Sequence, residues 1–517
     1  MRISNPSQIP EPDAGKRVHP ERYRAQATWI GIVCGLSLMA LYTGSITNYF
    51  QSDDFILLKW ASGGMRSALI PSPWEFYRPC VLFIFSLIYK IFSASPIAFR
   101  LTAIIFQLSN CILLSLFAFE ITRNKTLSMV SAILFACTFY HSEVMLWISC
   151  FADILLTFFC ILTLLSYHIY CHRGGLRWYM LSLIWFCCAI FSKETAFPLF
   201  FILAAYHIFA IDRVSSPPRA PSLTACCAPA MLIPFLAPLC LYLFFKAPTG
   251  MINPPGKIAV NYTQYILYGF VPFLTTYTHL RCPAIIKIGA LLSASGGMGL
   301  LFVRSSKQTK FLAASFLLFI SLPAICTVAE ARYLFFPGCF SSIILATAFV
   351  RFSDYLGGKF TQPIAAARPP SSPISVITLI TICLAAIIPQ VLFVFERAKD
   401  WASASATAES IIESVREVEP YSLAGADTYF VNLPDGIPSR LGYAYIFRNG
   451  IVEALYFAYG GRVGKIEAVR MAGAQGTWRG HGEIAREALK KLSRRGASIF
   501  VYSPDTHGVK KYERVGP

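Results

Sequence analysis

Long apolar runs separated by short basic loops dominate this chain and limit the folds it can adopt. The first run, Thr28 to Ile46, has about the twenty residues that a helix needs to cross the hydrocarbon core of a bilayer. Similar runs recur as far as residue 395, and only 14% of the 517 residues are charged whereas 55% are hydrophobic. The sequence therefore predicts an all-α polytopic membrane domain.

The net charge of +18 is spread over small Lys and Arg clusters between the apolar runs. This distribution follows the positive-inside rule for cytoplasmic loops, and it argues against nucleic acid as a partner. With the clusters on the cytoplasmic side, we expect about eleven spans. They lie near 28–48, 97–120, 126–142, 150–171, 177–192, 195–212, 225–246, 283–303, 311–329, 333–350 and 374–395.

Two further apolar segments, 78–93 and 264–280, are expected to be re-entrant or juxtamembrane helices, and if both crossed the membrane the total would be about thirteen. The chain then divides into a cytoplasmic segment (1–27), a transmembrane domain (28–395) and an extracytoplasmic domain (396–517). In the last part, helical spacing over 401–418 and strand-like runs at 428–433 and 498–502 predict a small α/β domain.

Small groups of polar residues interrupt the apolar pattern, and the predicted topology puts all of them on the outer face. Two adjacent carboxylates follow the first span, and the later groups mix acids with bases. Charged groups at such positions have a high desolvation cost in a membrane protein, so their presence indicates a functional role. The residues are Asp53, Asp54, Arg78, His141, Glu143, Asp153, Lys193, Glu194, Glu330 and Arg332.

The motifs around these residues resemble those of the GT-C membrane glycosyltransferases, with the protein O-mannosyltransferase-like group as the nearest branch. The motifs are Ser52-Asp-Asp-Phe, Tyr77-Arg-Pro, His141-Ser-Glu-Val-Met-Leu-Trp-Ile-Ser followed by Asp153, Ser192-Lys-Glu-Thr, and Glu330-Ala-Arg-Tyr-Leu-Phe-Phe-Pro. The resemblance covers roughly residues 28–395. Two departures stand out: no tetratricopeptide repeats follow the membrane region, and Cys150-Phe151 replaces the Gly-Arg that often follows Trp-Ile-Ser.

This resemblance implies transfer of a mannose-like sugar from a polyprenyl-phosphate donor to a protein, lipid or glycan acceptor outside the cytoplasm. A carboxylate, Asp53 or Asp54, would be the general base for the acceptor hydroxyl. Cations would hold the departing lipid phosphate, and the remaining polar groups would bind the sugar or orient the base. The expected binding residues are Arg78, His141, Glu143, Asp153, Lys193, Glu194 and Arg332.

Several alternatives stay open at the level of sequence. A divalent cation (Mg²⁺ or Mn²⁺) could be held by Asp53, Asp54, Glu143 and Asp153, although only some GT-C branches need a metal. A transporter or flippase for a lipid-linked saccharide would also place charged residues within a polytopic bundle. We expect a multi-pass protein in contact with membrane lipids, in a bacterial plasma (inner) membrane, with the C-terminal domain outside.

Overall fold

A computed structural model describes most of the chain. The described ranges are 20–70, 77–209, 228–245, 252–271, 305–357, 372–425, 427–471 and 497–512, together with Glu483–Ile484 and the isolated residues 289, 296 and 491. The predicted span at 283–303 lies outside the described residues, apart from two isolated positions. The segment 264–280 is described only as far as residue 271.

Helices account for most of the described residues. They are α1 (Pro20–Tyr42), α2 (Asp53–Ser62), α3 (Pro79–Phe92), α4 (Pro96–Thr122), α5 (Lys125–Ala136), α6 (Ser142–Leu146), α7 (Phe151–Arg173), α8 (Leu176–Ile190), α9 (Leu199–Ile208), α10 (Ala228–Leu232), α11 (Leu236–Phe245), α12 (Pro255–Phe270), α13 (Lys307–Cys326), α14 (Pro337–Leu356), α15 (Pro373–Val418) and α16 (Ile451–Ala458). An all-α membrane domain is confirmed.

Prolines mark the beginning of many of these helices. Pro79, Pro96, Pro337 and Pro373 each occupy a first-turn position, where a helix needs no backbone N–H and the fixed φ of proline is already helical. The side chain of Asn124 accepts a hydrogen bond from the Leu127 N–H at 3.0 Å and caps α5. Local sequence therefore fixes where several helices start.

Six of the described helical segments are long and apolar enough to cross a membrane. They are Ala27–Ser45, Pro96–Thr122, Ile148–Arg173, Lys307–Cys326, Pro337–Leu356 and Pro373–Val418. A seventh crossing could come from Lys125–Ala136 and Phe139–Leu146, which are bent by 48° at their junction. The predicted spans at 177–192, 195–212 and 225–246 correspond to shorter helices, and so does the predicted re-entrant segment 78–93.

Large apolar side chains cover the outside of the bundle. Trp29, Leu36, Ile105 and Ile377 are all more than 60% exposed. A soluble protein rarely shows so much apolar surface, whereas lipid tails cover it at no cost. With the apolar helices, this surface identifies the chain as a multi-pass membrane protein.

The helix α15 joins the membrane domain to the C-terminal domain. It runs without a break for 46 residues, and a helix of that length extends roughly 70 Å, well beyond a hydrocarbon core of roughly 30 Å. The predicted domain boundary at 395 falls inside this helix. The Ala-, Ser- and Glu-rich part after Trp401 continues the helix because these residues, unlike Gly or Pro, do not interrupt it.

The C-terminal domain contains two sheets. The first has five strands in the order β5-β4-β1-β6-β7, formed by Glu483–Ile484, Ile466–Met471, Thr428–Val431, Ser498–Ser503 and Gly508–Lys511. All neighbouring pairs are parallel except β6 and β7. Strands β2 (Gly436–Ser439) and β3 (Gly442–Tyr445) form a separate antiparallel hairpin. The predicted small α/β domain is confirmed.

The C-terminal domain packs against the end of the bundle where α2 begins. Helix α16 contacts α2, and the hairpin contacts α15. Buried Arg397 of α15 donates a hydrogen bond to the Tyr443 carbonyl at 2.9 Å and pairs with Asp400, which also accepts from the Ser439 hydroxyl. The domain therefore covers the same end of the bundle that carries Asp53.

Candidate active site

Asp54 is buried at the first turn of α2 and anchors this helix to the turn Ile148–Cys150. One carboxylate oxygen accepts from the Ser149 N–H at 2.7 Å and from the Ser149 hydroxyl at 2.5 Å. The other oxygen accepts from the Gln51 N–H at 3.1 Å. Only 2% of the Asp54 surface is exposed. Its hydrogen bonds therefore connect α2 to the turn Ile148–Cys150 in the interior.

Burial also changes the acidity of Asp54. Loss of hydration raises its pKa to about 6, although the Ser149 hydrogen bonds and nearby Arg100 act in the opposite direction. Arg100 itself is buried, and its guanidinium donates to the carbonyls of Leu146, Asn48 and Tyr49 at 2.7, 3.2 and 3.3 Å. It thereby ties the segment before α2 to the loop that precedes Ser149.

Asp53 has a different environment from its neighbour. It is partly exposed, and one of its oxygens accepts from the side-chain amide of Asn449 at 2.8 Å. Asn449 belongs to the C-terminal domain, just after the β2–β3 hairpin. Of the two adjacent carboxylates, Asp53 is therefore the one that an incoming molecule can reach.

Lys193 forms a buried ion pair with Asp153, which lies in the first turn of α7, directly after the turn Ile148–Cys150. The ammonium nitrogen lies 2.7 Å from both carboxylate oxygens, and both side chains are about 7% exposed. The same nitrogen lies 5.2 Å from the centre of the Tyr333 ring. Removing two charges from water has a high free-energy cost. The close contacts of the ammonium with both carboxylate oxygens must offset this cost.

Arg332 lies against the same Tyr333 ring. It donates to Glu143 at 2.9 Å and contacts Glu330. Its guanidinium carbon lies 5.7 Å from the Trp147 ring and 5.4 Å from the Tyr333 ring. Two carboxylates and two aromatic rings therefore fix its direction.

A third pair joins Arg78 to Glu194, with the two guanidinium nitrogens at 2.7 and 3.2 Å from the two carboxylate oxygens. Because Glu194 directly follows Lys193 in the sequence, this pair lies beside the Lys193–Asp153 pair. Trp147, against which the Arg332 guanidinium lies, directly precedes the turn Ile148–Cys150, and Asp153 follows this turn in the first turn of α7. Seven of the predicted residues therefore meet around the turn Ile148–Cys150.

His141 does not join this group. Its side chain is 1% exposed and its ring is enclosed between Phe135 and Phe335, with ring centres 4.5 and 4.3 Å away. The Nδ1 atom lies 3.3 Å from the Gln107 amide nitrogen. The enclosed ring of His141 is therefore part of the core of the bundle.

The carboxylates do not converge on a common point where a metal could bind. Within the described ranges, no group of three or more His, Cys, Asp or Glu side chains is arranged to hold a metal ion. Glu143 and Asp153 each face a cation, and Asp54 accepts hydrogen bonds from Ser149 and Gln51. The donor set predicted for Mg²⁺ or Mn²⁺ therefore does not fit this arrangement.

A cavity of about 220 Å³ lies between the bundle and the β2–β3 hairpin. Its polar lining includes Glu143, Glu330 and Arg397, and Tyr445 of the hairpin supplies part of its aromatic lining. The Tyr445 ring lies 4.7 Å from that of Trp147. The cavity therefore adjoins the carboxylates that hold Arg332, and the C-terminal domain forms one of its walls.

Sequence reasoning missed several residues of this site. Ser149 lies inside the Trp-Ile-Ser motif but was not assigned a role. Arg100 could have been found from the sequence. A single arginine within an apolar span has a high free-energy cost unless specific partners hold it. The contact of Asn449 with Asp53 could not be predicted from the sequence, because it spans 396 positions.

A family model supports the resemblance seen in the motifs. Residues 73–251 match the model described as dolichyl-phosphate-mannose-protein mannosyltransferase. This range includes Arg78, Glu143, Asp153, Lys193 and Glu194. No curated protein matches the sequence.

Solved structures show distant likenesses. The oligosaccharyltransferase of Archaeoglobus fulgidus, tethered to an acceptor peptide, is 14% identical, with 78% of this chain and 61% of that chain covered and a TM-score of 0.44. ArnT from Cupriavidus metallidurans is 11% identical, with 93% and 94% covered and a TM-score of 0.47 in the apo state. The undecaprenyl-phosphate-bound form of ArnT gives 11% identity, 94% coverage of each chain and a TM-score of 0.45.

The chain spans about three fifths of the length of the archaeal oligosaccharyltransferase. Their TM-scores are below 0.5, so these structures do not indicate a function for this chain. The family model, in contrast, matches the segment that carries two of the three ion pairs described above, Arg78–Glu194 and Lys193–Asp153. Over residues 73–251, the chain thus matches the dolichyl-phosphate-mannose-protein mannosyltransferase family, which confirms the predicted resemblance to membrane glycosyltransferases of the O-mannosyltransferase-like group.

Proposed function

We propose that this protein transfers a mannose-like sugar from a polyprenyl-phosphate donor to an acceptor on the extracytoplasmic face of a membrane. One observation carries the proposal: the partly exposed carboxylate of Asp53 directly precedes Asp54, which is bound to Ser149 of the turn Ile148–Cys150, and carboxylates near the same turn hold the cations of Lys193 and Arg332. Of these two cations, Lys193 falls in the segment that matches a mannosyltransferase family. Such a transfer needs both a base and cations close together.

Asp53 is the general base of this reaction. The acceptor hydroxyl gives its proton to the Asp53 carboxylate while its oxygen forms a bond to the anomeric carbon of the sugar. The bond between that carbon and the phosphate oxygen breaks, and its electron pair leaves with the polyprenyl phosphate. Asp53 is better suited than Asp54 because it is partly exposed, whereas both oxygens of Asp54 accept hydrogen bonds in the interior.

Arg332 and Lys193 stabilise the departing phosphate. Negative charge grows on the phosphate oxygens in the transition state, so cations that are already oriented lower its energy. Arg332 directs one terminal nitrogen to Glu143 and the other to Glu330. A guanidinium has five N–H donors, so it can keep these contacts and still donate to a phosphate.

The ion pairs keep these cations charged and oriented when no sugar donor is bound. Asp153 holds Lys193, Glu143 holds Arg332, and Glu194 holds Arg78. The acceptor is a protein, a lipid or a glycan. The adjoining cavity, with aromatic rings and carboxylates in its lining, is of a kind that binds hydroxyl-bearing molecules.

A transfer assay tests this function. Purified protein in nanodiscs is incubated with a panel of radiolabelled polyprenyl-phosphate sugars and membrane extract, and Asp53→Asn is compared with the wild type. Glu396→Gln is the matched control, because Glu396 is an exposed carboxylate of α15 whose pairing with Lys399 lies on the surface. We expect the wild type and the control to consume one donor, and Asp53→Asn to be inactive although folded.

Two results would overturn the proposal. If Asp53→Asn transfers sugar as fast as Glu396→Gln, Asp53 is not the base. If folded wild type binds the lipid carrier but consumes no donor, and the lipid-linked sugar crosses the bilayer of proteoliposomes, the protein is a flippase.

A further inference from the structure

We propose that Asn449 of the C-terminal domain is a positioning residue for Asp53, so that this domain completes the catalytic centre. The inference rests on the proposed function, because it concerns the carboxylate that acts there as the base. It assigns a role in catalysis to a domain that could otherwise be a separate appendage. Three sets of contacts carry it.

The first is the direct hydrogen bond. The Asn449 side-chain nitrogen lies 2.8 Å from one carboxylate oxygen of Asp53. The second oxygen of Asp53 makes no hydrogen bond with the part of the chain that the structure describes. A donor on one oxygen restricts the carboxylate rotamer and leaves the other oxygen for the acceptor hydroxyl.

The second set holds the residue before Asp53 in an unusual backbone conformation. Ser52 has a φ of 47° and a ψ of −120°, a region that non-glycine residues rarely occupy. Its N–H donates to the Ile446 carbonyl at 2.8 Å, and its hydroxyl accepts from the Asn449 N–H at 3.3 Å. The backbone geometry that aims Asp53 is therefore stabilised from the C-terminal domain.

The third set shows how closely the two domains approach. Gly450 has a φ of 84°, and a Cβ atom at this position would collide with the Ser52 carbonyl. Next to it, the Phe447 ring stacks on Phe55 of α2 with centres 6.0 Å apart. Glycine at 450 thus permits the contact, and the stacked rings fix the loop against α2.

The chemistry of the side chain also favours asparagine here. Its amide donates a hydrogen bond to a carboxylate without adding charge or a competing base. An aspartate of the same shape would place a second carboxylate beside Asp53, which weakens the contact by repulsion. Because Asn449 itself is exposed, its replacement removes little packing.

The decisive experiment measures steady-state transfer by the full-length protein in nanodiscs, with the polyprenyl-phosphate sugar that the wild type consumes. Asn449→Asp and Asn449→Ala are compared with Lys465→Ala, a control in an exposed residue of the same domain. We expect kcat to fall about 10- to 100-fold in both Asn449 variants, because a misplaced base costs rate and not binding. The donor KM should stay within about twofold of the wild type.

The apparent Tm of each variant separates positioning from folding. A fall in kcat at unchanged KM and Tm supports the inference. If Asn449→Ala and Lys465→Ala have equal kcat values, the positioning role of Asn449 is overturned. The proposed function stands in that case, because the wild type is active. If Asn449→Asp does not fold, Asn449→Ala decides alone because it adds no charge. A wild type that consumes no donor overturns both proposals.

Discussion

Ser149 donates two hydrogen bonds to a single carboxylate oxygen of Asp54, from its backbone N–H at 2.7 Å and from its hydroxyl at 2.5 Å. This contact connects the first turn of α2 to the Trp-Ile-Ser motif, 95 positions away in the sequence. It gives the two adjacent aspartates separate tasks. Asp54 fixes the position of α2, and Asp53 stays partly exposed, as its proposed role as the base requires.

Replacement of Asp54 is therefore expected to damage the fold more than replacement of Asp53. Asp54→Ala removes the acceptor for the Ser149 N–H and hydroxyl and for the Gln51 N–H, and all three donors lie in or beside the interior. Buried donors without acceptors should lower stability by about 3 kcal/mol. Asp53→Ala should cost about 1 kcal/mol or less, because its side chain is partly exposed.

Thermal unfolding of the purified variants in detergent measures this difference. Similar apparent Tm values for Asp54→Ala and Asp53→Ala would contradict the structural role of Asp54.

The raised pKa of Asp54 predicts how stability depends on pH. Burial raises this pKa from 3.8 to about 6, so the folded protein binds a proton more tightly than the unfolded chain between these values. Stability from this group is therefore greatest below about pH 4 and falls as the pH rises to about 6. The upper limit of the loss is about 3 kcal/mol.

Apparent Tm values between pH 4 and pH 7 check this dependence. Asp54→Asn cannot lose a proton in this range, so we expect a flatter profile than that of the wild type. Parallel profiles would mean that another group governs the pH dependence.

The sequence predicted the six long membrane helices of the described residues and the charged residues of the candidate site, whereas the predicted spans at 177–192, 195–212 and 225–246 form shorter helices. Apolar length sets the spans, and charged residues in an apolar chain are rare enough to be noticed. Arg78, Lys193 and Arg332 were identified in this way. Their partners could not be read from the sequence, because the pairs Arg78–Glu194 and Arg332–Glu143 span 116 and 189 positions.

The placement of His141 shows a second limit of sequence patterns. It is two residues from Glu143, but its ring packs on Phe335 and Phe135 in the interior. Spacing alone could not show this, because a short 3₁₀ turn, Phe139–His141, precedes α6 and sets the direction of the side chain. Of the two rings that enclose His141, Phe135 is near in the sequence, but Phe335 comes from a distant part of the chain.

Removing one member of the Lys193–Asp153 pair should lower stability more than removing both members. Lys193→Met leaves a buried carboxylate without its cation, which is expected to cost about 3–5 kcal/mol. The double variant Lys193→Met/Asp153→Leu removes both charges and should recover much of this stability. Transfer activity should stay low in the double variant, because the cation that stabilises the phosphate is still absent.

Apparent Tm and transfer rate are measured together for the two variants. Recovery of activity along with stability would show that Lys193 serves only the fold.

Arg332 is expected to be sensitive even to replacement by lysine. Its guanidinium reaches Glu143 and Glu330 at once and lies against the rings of Trp147 and Tyr333. A lysine ammonium is a point charge that cannot keep this planar arrangement. Loss of one charge-assisted hydrogen bond to the donor phosphate, worth about 1.5–3 kcal/mol, corresponds to a fall in kcat/KM of about 10- to 160-fold.

The matched control for this variant is Arg351→Lys, because Arg351 is exposed and lies near the far end of α14, whose first residue is Pro337. Steady-state transfer by Arg332→Lys and Arg351→Lys is compared at equal apparent Tm. A selective loss in Arg332→Lys places the guanidinium on the donor phosphate. Equal activity of the two variants would limit Arg332 to holding Glu143 and Glu330 in place, and Lys193 would then be the cation that receives the phosphate.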